Sequence, residues 1–308
     1  MDDKIRIILD TDIGPDCDDA AALAIAHVYA AAGRAELAAV MHCTSSPWGV
    51  GAIRAINRWY GRDTPVGTLA DPGFLVGEAF EKYNRPLSLS LPPSMLDAED
   101  CLPLYRRTLA QAADRSIHIV TIGPLRNLAN LLRSAPDEYS GLDGARLIAR
   151  KVTRLTLMAG RFGPAEGMPE VEWNVEMDVP SAREVAARWP VEMAYCGFEL
   201  GIRVPTGGRM MDALPAGHPV REAYRLYTGG GNRPSWDLLA VLHAVDPENS
   251  GLSDGEPGVV ELDERGVTRF SQAPGGLHRR LTFRRPPEQI AAMLDDLLCG
   301  GAPARGRA

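Results

Sequence analysis

Between Ile5 and Gly197, apolar runs of strand length alternate with helix-like stretches, and this alternation constrains the fold more than any other feature. The strand-like segments are IRIILD (5–10), ELAAVMH (36–42), HIVTI (118–122), RLTLMAG (154–160) and VEMAYCG (191–197). The intervening helix-like stretches span 18–32, 49–61, 124–134 and 180–189. Strands this apolar have both faces covered, which points to an α/β fold: a largely parallel, Rossmann-like central sheet with helices on both sides.

The remaining segments extend that frame. Asp71 to Asp100 is rich in Pro, Leu and Ser with weak periodicity, and reads as a loop-rich excursion serving as a lid or an interface. Residues 204–234 carry many Gly and Pro around one helix, while 259–283 shows short alternating strands, predicting a small hairpin beside the main sheet. PPEQIAAMLDDLL (286–298) closes a single domain over 1–300, and 301–308 reads as a disordered tail.

Composition narrows the partners. A net charge of −7 disfavours nucleic acid and anionic membranes, and no run approaches the roughly 18 apolar residues of a membrane span. The acidic start MDDKIRIILD runs straight into a strand and does not read as a signal peptide. The five cysteines are odd in number and scattered, which points to reduced thiols in a cytoplasmic setting.

Polar residues recur just behind the strands: DTD after the first, CTSSPWG after the second, GPL after HIVTI, GRFG after RLTLM. In open parallel sheets ligands bind outside the carboxyl ends of the strands. The densest of these sites, ILDTDIGPDCDDAAALA (8–24), places five aspartates in ten positions. Asp10 and Asp12 alternate at a strand end, and Asp18 and Asp19 open a helix, where carboxylates suit the amides and the dipole. Helix capping accounts for Asp18 alone. Asp12 and Asp19 together need a positive partner, because close carboxylates repel. Oxygen donors without Cys or paired His favour a hard cation, Ca²⁺ or Mg²⁺, although the spacing excludes an EF-hand.

DTDIGPDCDDAAAL, TIGPLRNLA (121–129), EWNVEMDVPSA (172–182) and SWDLLAVL (235–242) follow one another in the order and spacing of the nucleoside hydrolase family, which the chain resembles along nearly its whole length. The resemblance implies metal-dependent hydrolysis of the N-glycosidic bond of ribonucleosides, with Ca²⁺ as cofactor and a homodimer or homotetramer as the assembly. It implies that Asp12 ligates the metal and takes a proton from the attacking water. Asp19, Asp237 and the carbonyl of Ile122 become further ligands. Asp18 meets the ribose hydroxyls, Glu172 and Asn174 grip the sugar, and Asp10 supports the loop.

Departures from the family pattern mark where this chain differs. IGPDCDD is two residues longer than PGxDD and adds Asp16, to which no role is assigned. Ser46 is the nearest match to a sugar-binding Asn, and Glu166 stands where another Asn is usual, at the primary-hydroxyl end of the sugar. Trp236 precedes Asp237 where broad-specificity members have His. An indole cannot protonate a leaving base but offers it a stacking surface, which points to purines or, alternatively, to a space-filling core side chain. His42 is the only histidine that topology brings near the site. Two other readings compete: a haloacid dehalogenase-like phosphatase using Asp10 as nucleophile, and a non-catalytic metal- and ribosyl-binding relative.

Overall fold

The computed structural model describes residues 4–163 and 167–300, so Glu166 and the 301–308 tail lie outside the described residues. Its strands are β1 (Ile5–Thr11), β2 (Ala35–His42), β3 (Val66–Thr68), β4 (Glu99–Asp100), β5 (Ile117–Thr121), β6 (Val152–Met158) and β7 (Met193–Cys196). They continue with β8 (Pro205–Thr206), β9 (Arg233–Pro234), β10 (Leu252–Asp254), β11 (Gly258–Leu262), β12 (Thr268–Gln272) and β13 (His278–Phe283). The main sheet runs β12-β11-β13-β7-β6-β5-β1-β2-β3-β4, with β10 beside β13, while β8 and β9 form a separate antiparallel pair.

From β13 to β4 every neighbouring pair is parallel. The predicted 259–283 hairpin is β11–β12, and it extends this same sheet through β13. Strand order reverses between β1 and β5, each of which starts a run in the opposite direction. That reversal opens a crevice at the strands' carboxyl ends, where ligands of such sheets bind.

Two apolar cores cover the faces of the sheet. In one, the helix Asp18–Ala31 is buried nearly all round, with Ala20 to Ala26 wholly inaccessible. Its run of alanines combines high helix propensity with small side chains, so the helix Trp236–Val245 packs closely against it. This contact brings two helix N-termini, each with aspartate in its first turn, to the same end of the sheet.

The 71–100 excursion contains short helical turns at Glu78–Phe80, Asn84–Ser88 and Pro93–Met95. Gly14 is the residue on which it seats. A Cβ there would stand 2.3 Å from Asn84 Nδ2 and 2.6 Å from the Phe80 carbonyl oxygen, and the backbone φ is +149°. Two helices that periodicity did not reveal, Cys101–Gln111 and Gly144–Lys151, are started by Asp100 and Asp143, whose side chains accept from the Leu102 and Arg146 amides. Among the described residues no helix is long and apolar enough to cross a membrane, and all five cysteines are free thiols.

Candidate active site

The aspartate-rich loop leaves β1 at the switch point and divides its carboxylates between two environments. Asp10, still in the strand, is fully buried and accepts from Tyr105 Oη at 2.8 Å and Asn127 Nδ2 at 3.0 Å. It does not line the cavity, so the phosphatase reading loses its nucleophile. Asp12, beyond the strand end, does line it, together with Asp16, Asp18, Asp19 and Asp237. The loop is fastened by the Thr11 hydroxyl, which donates to Asp19 Oδ1 and accepts from the Ile13 amide.

Asp18 does not cap its own helix. Its Oδ2 accepts from the Asp237 amide at 3.1 Å, tying the start of the helix Asp18–Ala31 to that of the helix Trp236–Val245. The carboxylates of Asp18, Asp19 and Asp237 each bring an oxygen within 4.8 Å of the others, and all three are buried. Burial, then mutual repulsion, raises the pKa of Asp19 and Asp237 well above the usual carboxylate range. Burial and the nearby Asp16 charge do the same to Asp18. Asp12 is pushed up to about 7, mainly by burial.

Three buried carboxylates held this close, with Asp12 beside Asp19, are costly as anions unless a cation joins them. Their donor set is oxygen only. It fits a hard divalent cation such as Ca²⁺ or Mg²⁺ and offers nothing to a thiophilic one. The Ile122 carbonyl, behind β5, reaches the same cavity but already accepts from Asn174 Nδ2 at 3.3 Å.

Glu172 and Asn174 form the opposite wall. Glu172 starts a short helix, accepting from the amides of Asn174 (2.8 Å), Val175 (3.2 Å) and Gly160 (3.1 Å). Those bonds occupy three of a carboxylate's roughly four acceptor positions, leaving room for one ligand hydroxyl. Burial raises its pKa to about 7. Asn174 spends Nδ2 on the Ile122 and Met158 carbonyls, and its Oδ1 has no donor among the described residues.

Ser46, matched in the sequence to a sugar contact, has a backbone partner in the structure. It sits in the loop after β2, where its Oγ accepts from the Trp48 amide at 3.4 Å, and it is not part of the cavity wall. His42 is also turned away, held by Thr44 and Thr68 beneath Gly49, and burial lowers its pKa to about 4. Asp295 and Asp296, on the closing helix, do not line the cavity and instead bond the Gly207 amide and Arg209.

The upper walls of this cavity of about 390 Å³ are aromatic: Phe80, Trp173, Phe198, Tyr227 and Trp236. Trp236 is anchored by an Nε1 bond to the Phe198 carbonyl at 3.0 Å and by stacking on the Phe198 ring at 5.4 Å. Gly201 leaves the space for it, since a Cβ there would stand 2.2 Å from Trp236 Cδ1. Gly201→Ala is therefore expected to cost about 1–3 kcal/mol through overpacking, read as a lower urea midpoint at unchanged m-value.

Sequence motifs did not reveal Phe80, Phe198, Tyr227, Lys82 or Arg233 as cavity residues, because none belongs to a motif. The one available signal was charge. Asp16, unassigned in the sequence, pairs with Arg233 in a two-pronged contact.

Three comparisons bear on this geometry. The family model described as inosine-uridine preferring nucleoside hydrolase matches residues 7–275. The non-specific ribonucleoside hydrolase RihC of Salmonella paratyphi A is 27% identical over 272 residues, covering 80% of this chain and 81% of the relative. Among solved structures, the inosine-uridine preferring nucleoside hydrolase of Bacillus anthracis superposes with a TM-score of 0.69 at 17% identity, over 96% of this chain and 99% of that one. The purine-preferring ribonucleoside hydrolase of Gardnerella vaginalis gives 0.71 at 17% identity, over 96% and 98%.

Proposed function

The chain belongs to the inosine-uridine preferring nucleoside hydrolase family, and from that premise we propose that it prefers purine ribonucleosides and works with a bound Ca²⁺. It is a nucleoside N-ribohydrolase, cleaving the N-glycosidic bond of ribonucleosides. The observation that carries the finer reading is the buried triad Asp18, Asp19 and Asp237 at the floor of an aromatic-walled cavity.

When bound, the cation supplies positive charge that holds oxygen ligands and makes a nearby water more acidic. Asp19 and Asp237 of that triad, joined by Asp12 and the Ile122 carbonyl from the same cavity wall, would hold it. Asp12 takes the proton of the attacking water, a role a carboxylate at the cavity wall can fill. Asp18 accepts from the ribose hydroxyls, while Asn174 Oδ1 and the remaining acceptor position of Glu172 orient the sugar. As the C1′–N bond lengthens, positive charge grows on the sugar, and the surrounding carboxylates favour it.

The five aromatic side chains support a purine, whose two rings offer more stacking area than a pyrimidine. The purine preference of the Gardnerella vaginalis enzyme agrees with this reading. Homo-oligomeric assembly and a cytoplasmic setting remain part of the proposal, the latter supported by the free thiols.

A panel of ribonucleosides assayed for released reducing sugar tests it. Inosine, guanosine or adenosine should be cleaved about two- to tenfold faster than uridine and cytidine, in keeping with one extra stacked ring. Uridine cleaved as fast as every purine would overturn the purine preference, and silence across the panel would favour the non-catalytic binding reading.

A further inference from the structure

The two-residue expansion of the first motif brings a carboxylate to the cavity mouth that the hydrolytic machinery leaves unused. Asp16 faces Arg233 of β9, whose Nε donates to Oδ1 and Oδ2 at 3.0 Å each, while Nη2 also bonds Oδ2. Asp16 is itself held in place. Tyr83 Oη donates to its carbonyl at 2.6 Å, and its Oδ1 accepts from the Cys17 amide at 2.6 Å.

The guanidinium lies 5.3 Å from the Tyr227 ring centre and 5.1 Å from that of Trp236. Asp16, Tyr227, Arg233 and Trp236 all line the cavity. Asp16 takes up Nε and Nη2, and Nη1 has no hydrogen-bond partner among the described residues. A guanidinium fixed along one edge, between two aromatic side chains, thus keeps three N–H donors, two on Nη1 and one on Nη2, for a ligand beside Trp236.

We propose that Arg233, oriented by Asp16, selects 6-oxopurine bases and hydrogen-bonds the base as it departs. This rests on the purine ribonucleoside reading above. A 6-oxopurine presents O6 and N7 as adjacent acceptors, which two N–H groups match, whereas adenine places an amino donor beside N7. In the cleavage step water oxygen bonds to C1′ and loses its proton to Asp12, while the C1′–N9 bond breaks and its electron pair leaves with the base. The negative charge spreads from N9 to N7 and O6, where Nη1 donates to it. Arginine keeps its own proton, and the base is protonated by solvent. The cavity wall thereby gains a leaving-group contact that the indole at position 236 does not supply.

The test compares kcat/KM for inosine, adenosine and p-nitrophenyl riboside in the wild-type protein, Arg233→Ala and Arg233→Lys, with Ca²⁺ present. Nitrophenolate departs without assistance and has no O6 or N7. The wild type should prefer inosine to adenosine, and in both variants the inosine-to-nitrophenyl ratio should fall about 10- to 100-fold, the worth of a paired base contact. Lysine keeps the charge but not the planar fork, so it serves also where the alanine variant fails to fold. A ratio within threefold of wild type in either folded variant overturns the proposal, as does a wild type that cleaves adenosine as readily as inosine. Failure of the wild type on all three substrates instead overturns the underlying reading.

Discussion

Replacing Asp12 by Asn should lower kcat about 1000-fold, the scale of a positioned general base, without unfolding the protein. The substitution keeps the side chain's shape and one carbonyl oxygen but removes the atom that takes the proton. Asp12 is 4% exposed, and burial together with the Asp16 and Asp10 charges already raises its pKa to about 7. An amide there removes a repelling charge from the cluster, so the melting temperature of the calcium-free variant should equal or exceed that of the calcium-free wild type. Steady-state kinetics on inosine and a thermal melt of the same sample separate the two effects. A loss below tenfold would show that another group accepts the proton, and a large fall in melting temperature would assign Asp12 a structural role.

The layout of the sheet was legible because strand and helix periods differ and because buried parallel strands are apolar on both faces. Short strands such as β3, β4, β8 and β9 have two or three residues each, too few to establish a period. The carboxylate cluster was legible for a different reason: close like charges are unfavourable in a fold unless they serve a ligand. Order along a loop does not say which side chains turn inward, so the bond between the Ser46 Oγ and the Trp48 amide was not legible in the sequence. Asp16 and Arg233 lie 217 residues apart, so no local pattern could join them. The two-residue expansion that looked like a departure from the family pattern is what lets Asp16 reach its partner.

Calcium should raise the melting temperature of this protein far more at pH 8 than at pH 5, and chelation should abolish hydrolysis at either pH. Without the cation, Asp12, Asp18, Asp19 and Asp237 bind protons more tightly folded than unfolded, their pKa values standing above the ordinary carboxylate range. Between about pH 4 and 7 the folded state therefore holds the extra protons, and stability falls as pH rises through that window. Cation binding requires those same carboxylates deprotonated, so calcium competes with protons at pH 5 and meets little competition at pH 8. At free calcium near 1,000 times its dissociation constant the stabilisation is about 4 kcal/mol. At roughly 2 °C per kcal/mol for a chain of this size, the melting temperature should rise by about 8 °C at pH 8 and by less than half of that at pH 5. Burial lowers His27, His42 and His218 to about 4 and His118 to about 3, which destabilises the fold in acid. That contribution is common to the loaded and chelated samples and cancels in their difference. Magnesium, which demands near-octahedral geometry and sheds water reluctantly, should give the smaller shift. An equal increment at both pH values would remove the carboxylate cluster from the binding site, and hydrolysis surviving chelation would remove the cation from the reaction.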